Sequence, residues 1–284
     1  MDELDFIHTP PKSGYDADIA YEFFYSVGNE EVIKVNKTVF VEGEKGNRLF
    51  LQRDKMYFLL EGEVELTIKE KPVVIIRQGE IFGEMATLTR SARTATATAR
   101  TPCRVISLDE KQFHAGLREM PEFAPMLMGV MVERLRKMIA HLSKTGVLLE
   151  SDRWRESPVF DKKMLAELEE EVGESSVIRY SSGKFIMQEG QAGVFMYVVL
   201  EGQVAVTIHE RTVEKVGPGG MFGEMALIEH TERLANAFAE TDCVLLAINR
   251  NVFLVLVKEN PEFGFALLSA VGERAQFMAS QLAA

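Results

Sequence analysis

The stretch that decides the fold runs from Phe82 to Ala95 and reads FGEMATLTRSARTA. Gly83 ends an apolar, strand-like run and permits a tight turn of the backbone. Residues Glu84 to Leu88 suit a single helical turn, whose free N–H groups would face an anion. Arg93 follows nine residues after Glu84 and carries a permanently charged, planar group that suits phosphate oxygens. The stretch therefore predicts a small anion-binding site at the end of a strand.

The carboxylate of Glu84 would repel a phosphate, so it needs a different partner at the same site. A sugar hydroxyl fits this role, because acidic residues accept hydrogen bonds from ribose at other nucleotide sites. A phosphate and a ribose in one small pocket indicate a nucleotide, and the compact spacing suits a cyclic one.

The pattern Phe-Gly-Glu-x-Ala followed by Arg-x-Ala resembles the phosphate-binding cassette of cyclic-nucleotide-binding domains. Those domains occur in protein kinase regulatory modules, cyclic-nucleotide-gated channels and bacterial receptor proteins. The resemblance implies that Glu84 holds the ribose 2′-hydroxyl and Arg93 the cyclic phosphate, helped by backbone N–H groups near Gly83 and Ala86. Ala92 departs from the pattern, since many members carry proline there. The expected residues of this first site are Phe82, Gly83, Glu84, Met85, Ala86, Arg93, Thr94 and Ala95.

A second copy of the motif lies 140 residues further along the chain. The same offset relates Glu61-Gly62 to Glu201-Gly202 and Cys103 to Cys243. Several matches at one constant offset indicate a tandem duplication. The expected residues of the second site are therefore Phe222, Gly223, Glu224, Met225, Ala226, Arg233, Leu234 and Ala235.

Upstream of the motif the first repeat carries seven extra residues, somewhere around residues 47–56. They are either a tolerated hairpin extension or a contact surface for the other domain or a partner. The two cysteines are too few for a disulfide scaffold. Each leads into an apolar strand at the same place in its repeat, which predicts buried structural thiols.

Many short strands separated by glycine turns, with helices on either side, predict a fold that is mainly β with some α. We expect two tandem β-roll domains, double-stranded and jelly-roll-like, each flanked by N-terminal and C-terminal helices. The expected bounds are 1–146 for the first domain, 147–156 for a linker and 157–284 for the second domain. Capping residues predict a helix over 16–28, and a helical pattern starts near Ser157-Pro158 and reaches Glu171.

The last helix of each repeat has apolar residues at alternating steps of three and four, the spacing of a heptad seam. These seam helices either pack on their own β-roll or form a contact between domains or between the subunits of a dimer. The second role is typical of the last helix in the family, and we expect a homodimer through these helices. Candidates to cap the base lie on the same helices. The seam residues are Met128, Met131, Leu135, Met138 and Leu142, then Leu268, Val271, Ala275, Met278 and Leu282. The cap candidates are Arg134, Lys137, Met138, Arg274 and Met278, with Trp154 either a further cap or a packing residue at the domain junction.

The two sites differ directly after the arginine. Thr94 supplies a hydroxyl that could meet the guanine amino group or the phosphate, whereas Leu234 can neither donate nor accept a hydrogen bond. Relatives that prefer cGMP commonly have threonine here, and bacterial cAMP receptors also tolerate a hydroxyl. The first site is therefore expected to take cAMP or cGMP, and the second to favour cAMP.

Composition excludes several function classes. A net charge of −11 over 284 residues argues against nucleic acid or an anionic membrane as the main partner. No apolar run approaches the ~20 residues of a membrane span, and the N-terminus is unlike a signal peptide, which together predict a cytoplasmic protein. The five histidines are scattered, so neither a metal site nor a cofactor is expected.

The sequence contains neither the glycine-rich loop of a kinase nor a nucleophile elbow, so we do not expect an enzyme. A cupin-like enzyme is a less favoured alternative. A DNA-binding regulator would need a helix-turn-helix after the last seam helix, and the chain ends at Ala284. A kinase regulatory subunit would need a basic pseudosubstrate segment, which residues 1–20 lack. We therefore expect a receptor that rearranges its helices and domains and signals to an effector protein in trans. A degenerate fold that serves as an interaction scaffold is the alternative.

Overall fold

A computed structural model describes residues 14–46, 54–145 and 158–282. These residues form two compact units. One contains the described residues up to Met138 together with those from Val257 onward, and the other contains the described residues between Ile139 and Leu256. The predicted linker 147–156 with Trp154, and most of the predicted extra segment 47–56, lie outside the described residues.

The first repeat begins with a helix whose ends follow from its sequence. Asp16 caps this helix by accepting hydrogen bonds from the backbone N–H groups of Asp18 and Ile19, and Gly28 ends it, so the helix predicted over 16–28 is confirmed. The helices of this repeat are α1 (Ala17–Val27), α2 (Glu84–Thr89), α3 (Glu110–Glu119) and α4 (Phe123–Thr145). Its strands are β1 (Asn29–Ile33), β2 (Thr38–Phe40), β3 (Lys55–Glu61), β4 (Val64–Ile68), β5 (Lys71–Ile76), β6 (Ile81–Phe82), β7 (Thr96–Ala99) and β8 (Cys103–Asp109).

These strands form two antiparallel four-stranded sheets, in the orders β1-β8-β3-β6 and β2-β7-β4-β5. One core lies between them, made by the inward-facing residues of both sheets. In β7 the alternation of threonine and alanine places Ala97 and Ala99 in this core while the threonines stay half-buried. The predicted β-roll is therefore confirmed, and the small residues of β7 lie on its inner face.

The second repeat has the same plan. Its helices are α5 (Lys162–Val172), α6 (Glu224–Glu229), α7 (Arg250–Glu259) and α8 (Pro261–Leu282). Its strands are β9 (Val177–Tyr180), β10 (Phe185–Met187), β11 (Phe195–Glu201), β12 (Val204–Ile208), β13 (Arg211–Val216), β14 (Met221–Phe222), β15 (Asn236–Ala239) and β16 (Cys243–Asn249). They pair in the orders β14-β11-β16-β9 and β10-β15-β12-β13, which match the two sheets of the first repeat.

Helix α5 starts later than the sequence predicted. It begins at Lys162, where the Asp161 side chain accepts a hydrogen bond from the Met164 N–H, and not near Pro158. Val159 and Phe160 instead donate their N–H groups to the carbonyl of Gly219, which holds this segment out of the helix.

The repeated Glu-Gly and Cys positions belong to one packing arrangement. Gly62 turns the chain with a φ of 97°, and a Cβ there would lie 2.7 Å from the Cys103 sulfur. Gly202 and Cys243 repeat this approach with a φ of 86° and a distance of 2.8 Å. Both cysteines are free and buried, so the prediction of structural thiols is confirmed.

The seam residues are buried in both helices, except that the side chain of Leu282 lies outside the described part. Helix α8 belongs to the first compact unit, where it packs against α2 and α3. The second seam helix thus contacts elements of the first repeat. Of the helices in the described ranges, none is both long enough and apolar enough to cross a membrane.

Candidate functional site

Arg93 is held beside the start of α2 by backbone carbonyls. Its Nη1 donates to the Gly83 carbonyl at 2.8 Å, and its Nη2 donates to the Lys55 carbonyl at 2.9 Å. The Phe40 ring lies under the guanidinium, 4.1 Å from Cζ to the ring centroid, and Asp54 Oδ1 lies 3.6 Å from Nε. Burial lowers the pKa of Arg93, and the charge of Asp54 is the largest opposing influence. Arginine nevertheless stays charged, because its ordinary pKa lies far above neutrality.

The glycine before α2 makes this arrangement possible. Gly83 has a φ of 77°, in the left-handed region that side chains disfavour. A Cβ at Gly83 would lie 3.1 Å from Arg93 Nη1 and 3.0 Å from the Phe40 ring. A glycine is therefore needed both for the turn and for the close approach of the arginine.

Glu84, the first residue of α2, is buried and paired with a helix from further along the chain. Its side chain is 3% exposed, and Arg134 Nη1 of α4 donates to its Oε1 at 2.7 Å. Arg134 Nε is buried and has no hydrogen-bond partner among the described residues. Arg134 was a candidate base cap, and the structure instead places it against the carboxylate expected to bind ribose.

A cavity of about 170 Å³ lies beside this ion pair. Glu84 and Arg134 line it together with the β5–β6 connection, the start of α1 and apolar residues of α4. Tyr15 closes one side, and its hydroxyl donates to the Gly79 carbonyl at 2.6 Å. Burial raises the pKa of Tyr15 further above neutrality, and the protonated phenol is the donor in this hydrogen bond.

The second repeat reproduces the placement of the arginine. Arg233 Nη1 donates to the Gly223 carbonyl at 2.6 Å, and Nη2 donates to the Phe195 carbonyl at 2.5 Å. Gly223 has a φ of 80°, and Glu224 at the start of α6 is 2% exposed. Burial lowers the pKa of Arg233 as it does that of Arg93.

The surroundings of the two arginines differ in charge. Position 54 is aspartate in the first repeat, and its counterpart Val194 has no charge. Among the described residues, no carboxylate lies within ion-pair distance of Arg233. The residue at the position of Phe40 also differs, since the second repeat has Met187 there. Sequence reasoning missed both differences, although the 140-residue offset relates position 54 to 194 directly.

The remaining expected site residues have the same exposure pattern in both repeats. Phe82 and Phe222 are core residues stacked on tyrosines, at ring distances of 5.0 and 5.2 Å. The alanines Ala86, Ala95, Ala226 and Ala235 are buried, and Met85, Met225, Thr94 and Leu234 are half-buried.

Of the other cap candidates, Lys137 pairs with Glu133 at 2.8 Å, and Met138 and Met278 are buried. Arg274 is half-buried, and Trp154 lies outside the described residues. Within 14–46, 54–145 and 158–282, no three acidic, histidine or cysteine side chains form a group able to hold a metal ion.

The family model for the cyclic nucleotide-binding domain matches residues 30–119 and 177–260, which together are more than half of the chain. The chain is 26% identical over 231 residues to the cGMP-dependent protein kinase egl-4 of Caenorhabditis briggsae. That match covers 79% of this chain and 27% of the kinase, so the chain spans about a quarter of the length of this relative.

Two solved structures are also similar. One is the regulatory domain of Toxoplasma gondii PKA crystallised with cAMP, with 20% identity, a TM-score of 0.31, and coverage of 86% of this chain and 92% of that one. The other is the Thermus thermophilus Catabolite Activator Protein, with 32% identity, a TM-score of 0.39, and coverage of 45% of this chain and 62% of that one.

Proposed function

Because the chain belongs to the cyclic nucleotide-binding domain family, we propose that it is a cyclic nucleotide receptor with one ligand site in each repeat. Arg93 and Arg233 bind the cyclic phosphate, and Glu84 and Glu224 accept a hydrogen bond from the ribose. By sequence, the two binding domains span 1–146 and 157–284, joined by the linker 147–156. The protein acts as a receptor and not as an enzyme.

The equivalent placement of the two arginines is the observation that carries this proposal. Each guanidinium is buried against a left-handed glycine turn, with Nη1 and Nη2 bound to two backbone carbonyls. A guanidinium has five N–H donors, and these contacts use two of them. The other donors stay available for phosphate oxygens, close to the free N–H groups of the first turn of α2 or α6.

The buried carboxylate of Glu84 supports a role in binding ribose. A buried carboxylate is costly unless it is paired and hydrogen-bonded, and Arg134 meets only part of this need. A ribose hydroxyl can donate to the remaining lone pairs of the carboxylate. The free Nε–H of Arg134 offers the ligand a further donor.

The base preference follows from the residues after the arginines. Thr94 carries a hydroxyl beside the first site, which suits either cAMP or cGMP. Leu234 offers no hydrogen bond, so the second site favours cAMP.

Ligand binding at Glu84 acts on α4 through the ion pair with Arg134. A nucleotide shifts the position of a helix only to the extent that it binds one arrangement more tightly than the other. The seam helices then change an interface that a separate effector protein detects. A homodimer through these helices and a cytoplasmic location complete the proposal.

Calorimetric titration of cAMP and cGMP into the full chain tests it. Arg93→Ala should remove the first site and Arg233→Ala the second, because each loses charge-assisted hydrogen bonds of ~1.5–3 kcal/mol apiece. Arg104→Ala is the matched control, since Arg104 is an exposed arginine paired with Glu30 and Glu61 on the surface. If the wild type binds neither nucleotide at micromolar concentrations, the receptor proposal fails and the scaffold alternative takes its place.

A further inference from the structure

The end of the cassette helix α2 is held by the C-terminal helix α8. The last carbonyls of any α-helix have no partner within the helix. Helix α2 ends at Thr89 and is followed by Arg90 in the left-handed conformation, with a φ of 53°. Ser269 of α8 donates its hydroxyl to the Leu88 carbonyl at 3.0 Å. A side chain of the second repeat thus satisfies an open carbonyl of the first cassette.

Three residues along α8, Gly272 allows a close approach to α2. A Cβ at Gly272 would lie 2.9 Å from Thr89 Cγ2 and 3.1 Å from Met131 Cε. Glycine inside a helix costs about 1 kcal/mol relative to alanine, and at position 272 close packing gives a reason for it. The reason here is that α8 lies directly on α2 and on the seam residue Met131.

The N-terminal part of α8 is anchored to the same unit. Phe265 packs on His114 and Phe113 of α3, with ring centroids 4.0 and 6.1 Å apart. Glu262 lies 3.4 Å from His114 Nδ1 and 3.6 Å from Arg118 Nη2. These contacts place Ser269 and Gly272 over α2.

The cassette helix of the second repeat is held by a different group. Arg250 Nη1 donates to the carbonyls of Leu227 and Ile228 at 2.7 and 3.2 Å, so α6 is capped from within its own repeat. In the first repeat the counterpart of Arg250 is Glu110, which pairs with Arg90. The counterpart of Ser269 is Gly129, which has no hydroxyl. The carbonyl ends of the two cassette helices are therefore held by different groups, Ser269 for α2 and Arg250 for α6.

We propose that α8 is a positioning element of the first nucleotide site. Ser269 and Gly272 hold α2 in its ligand-binding position, and α2 carries Glu84 and follows Gly83. The affinity of the first site therefore depends on Ser269 and Gly272 of the C-terminal helix. This inference rests on the proposed receptor function.

The test combines hydrogen exchange with calorimetry on the full chain. Ser269→Ala removes one hydrogen bond, which should weaken first-site binding of cAMP or cGMP about threefold to tenfold and speed exchange of the amides in residues 84–92. Gly272→Leu should weaken first-site binding and speed this amide exchange more strongly than Ser269→Ala does. The amides of residues 224–232 should be unchanged in each variant. Titrations in the Arg233→Ala background report the first site alone.

Two variants separate positioning from general destabilisation. Ser269→Thr keeps the hydroxyl and should restore both affinity and exchange. Gly129→Ala adds a Cβ with no atom within 4 Å, and should leave both readouts at wild-type values. The proposal is overturned if amide exchange in residues 84–92 is unchanged in the Ser269→Ala and Gly272→Leu variants. It is also overturned if exchange changes equally in both cassettes, or if binding at the first site is unchanged or tighter. If the wild type binds neither nucleotide, the receptor function fails, and exchange alone then decides whether α8 holds α2.

Discussion

The ion pair between Glu84 and Arg134 offers the sharpest energetic test of the first site. Arg134→Ala removes a cation 2.7 Å from a carboxylate whose side chain is 3% exposed. With an effective dielectric constant near 20, the Coulomb attraction at this distance has an upper bound of about 6 kcal/mol. Removing one partner of a buried pair costs ~3–5 kcal/mol in practice, because a buried charge is left uncompensated. The cavity beside the pair allows water to approach, so we expect a value near the lower end.

Native-state hydrogen exchange measures this loss as a lower free energy of opening for residues 82–95. Lys137→Ala is the matched control on the same helix, because Lys137 forms a half-exposed pair with Glu133 at the (i, i+4) spacing. Such surface pairs contribute about 0.3–0.5 kcal/mol. Adding Glu84→Gln to Arg134→Ala should recover part of the stability, since the amide carries no charge. If Arg134→Ala costs no more than Lys137→Ala, the pair does not stabilise the cassette and the reasoning is wrong.

Three further predictions concern charge, pH and backbone geometry. Asp54→Asn should tighten first-site binding about fivefold by calorimetry, because a carboxylate that opposes the phosphate is lost while the backbone carbonyls still hold the arginine. Val194→Asp should weaken binding at the second site for the same reason. Changes in affinity of the opposite sign would contradict this. Burial raises the pKa of Tyr57 to about 12, so the stability this phenol contributes is complete below pH 10 and is lost as the pH rises from 10 to 12. Tyr57→Phe should reduce this loss of stability, measured as the free energy of unfolding in denaturant titrations across that pH range. An equal loss in the variant would exclude Tyr57 as its source. Gly62→Ala should lower the thermal midpoint of unfolding well below that of Gly43→Ala. Both glycines have a positive φ, but only Gly62 has atoms within 3 Å of the new Cβ. Equal shifts of the midpoint in the two variants would mean that the clash at Gly62 relaxes.

The parts of the fold that depend on neighbouring residues were predictable. The cap at Asp16 is made to residues two and three positions further along the chain, the alternation in β7 follows the two-residue period of a strand, and the turn at Gly62 uses a positive φ that glycine permits. The duplication was visible because matching residues recur at a constant offset of 140 residues. The β-roll and the membership of the family followed from these local signals.

Prediction was weaker where a side chain meets a distant segment. The heptad spacing indicated that one face of each seam helix is buried, because apolar periodicity marks a face. It did not indicate which surface covers that face. The structure pairs Arg134 with Glu84, whereas the sequence offered it as a base cap.

The sequence by itself therefore determined the repeats, the strands and turns, and the two Glu–Arg pairs that mark the candidate sites. Only the tertiary structure decided that Asp54 lies beside Arg93 and that Ser269 reaches Leu88, a residue 181 positions earlier. The physical reason is that local geometry follows from backbone preferences and hydrophobic period, which short windows contain. The partner of a buried charge or an open carbonyl is set by how distant segments pack, and no short window contains that information.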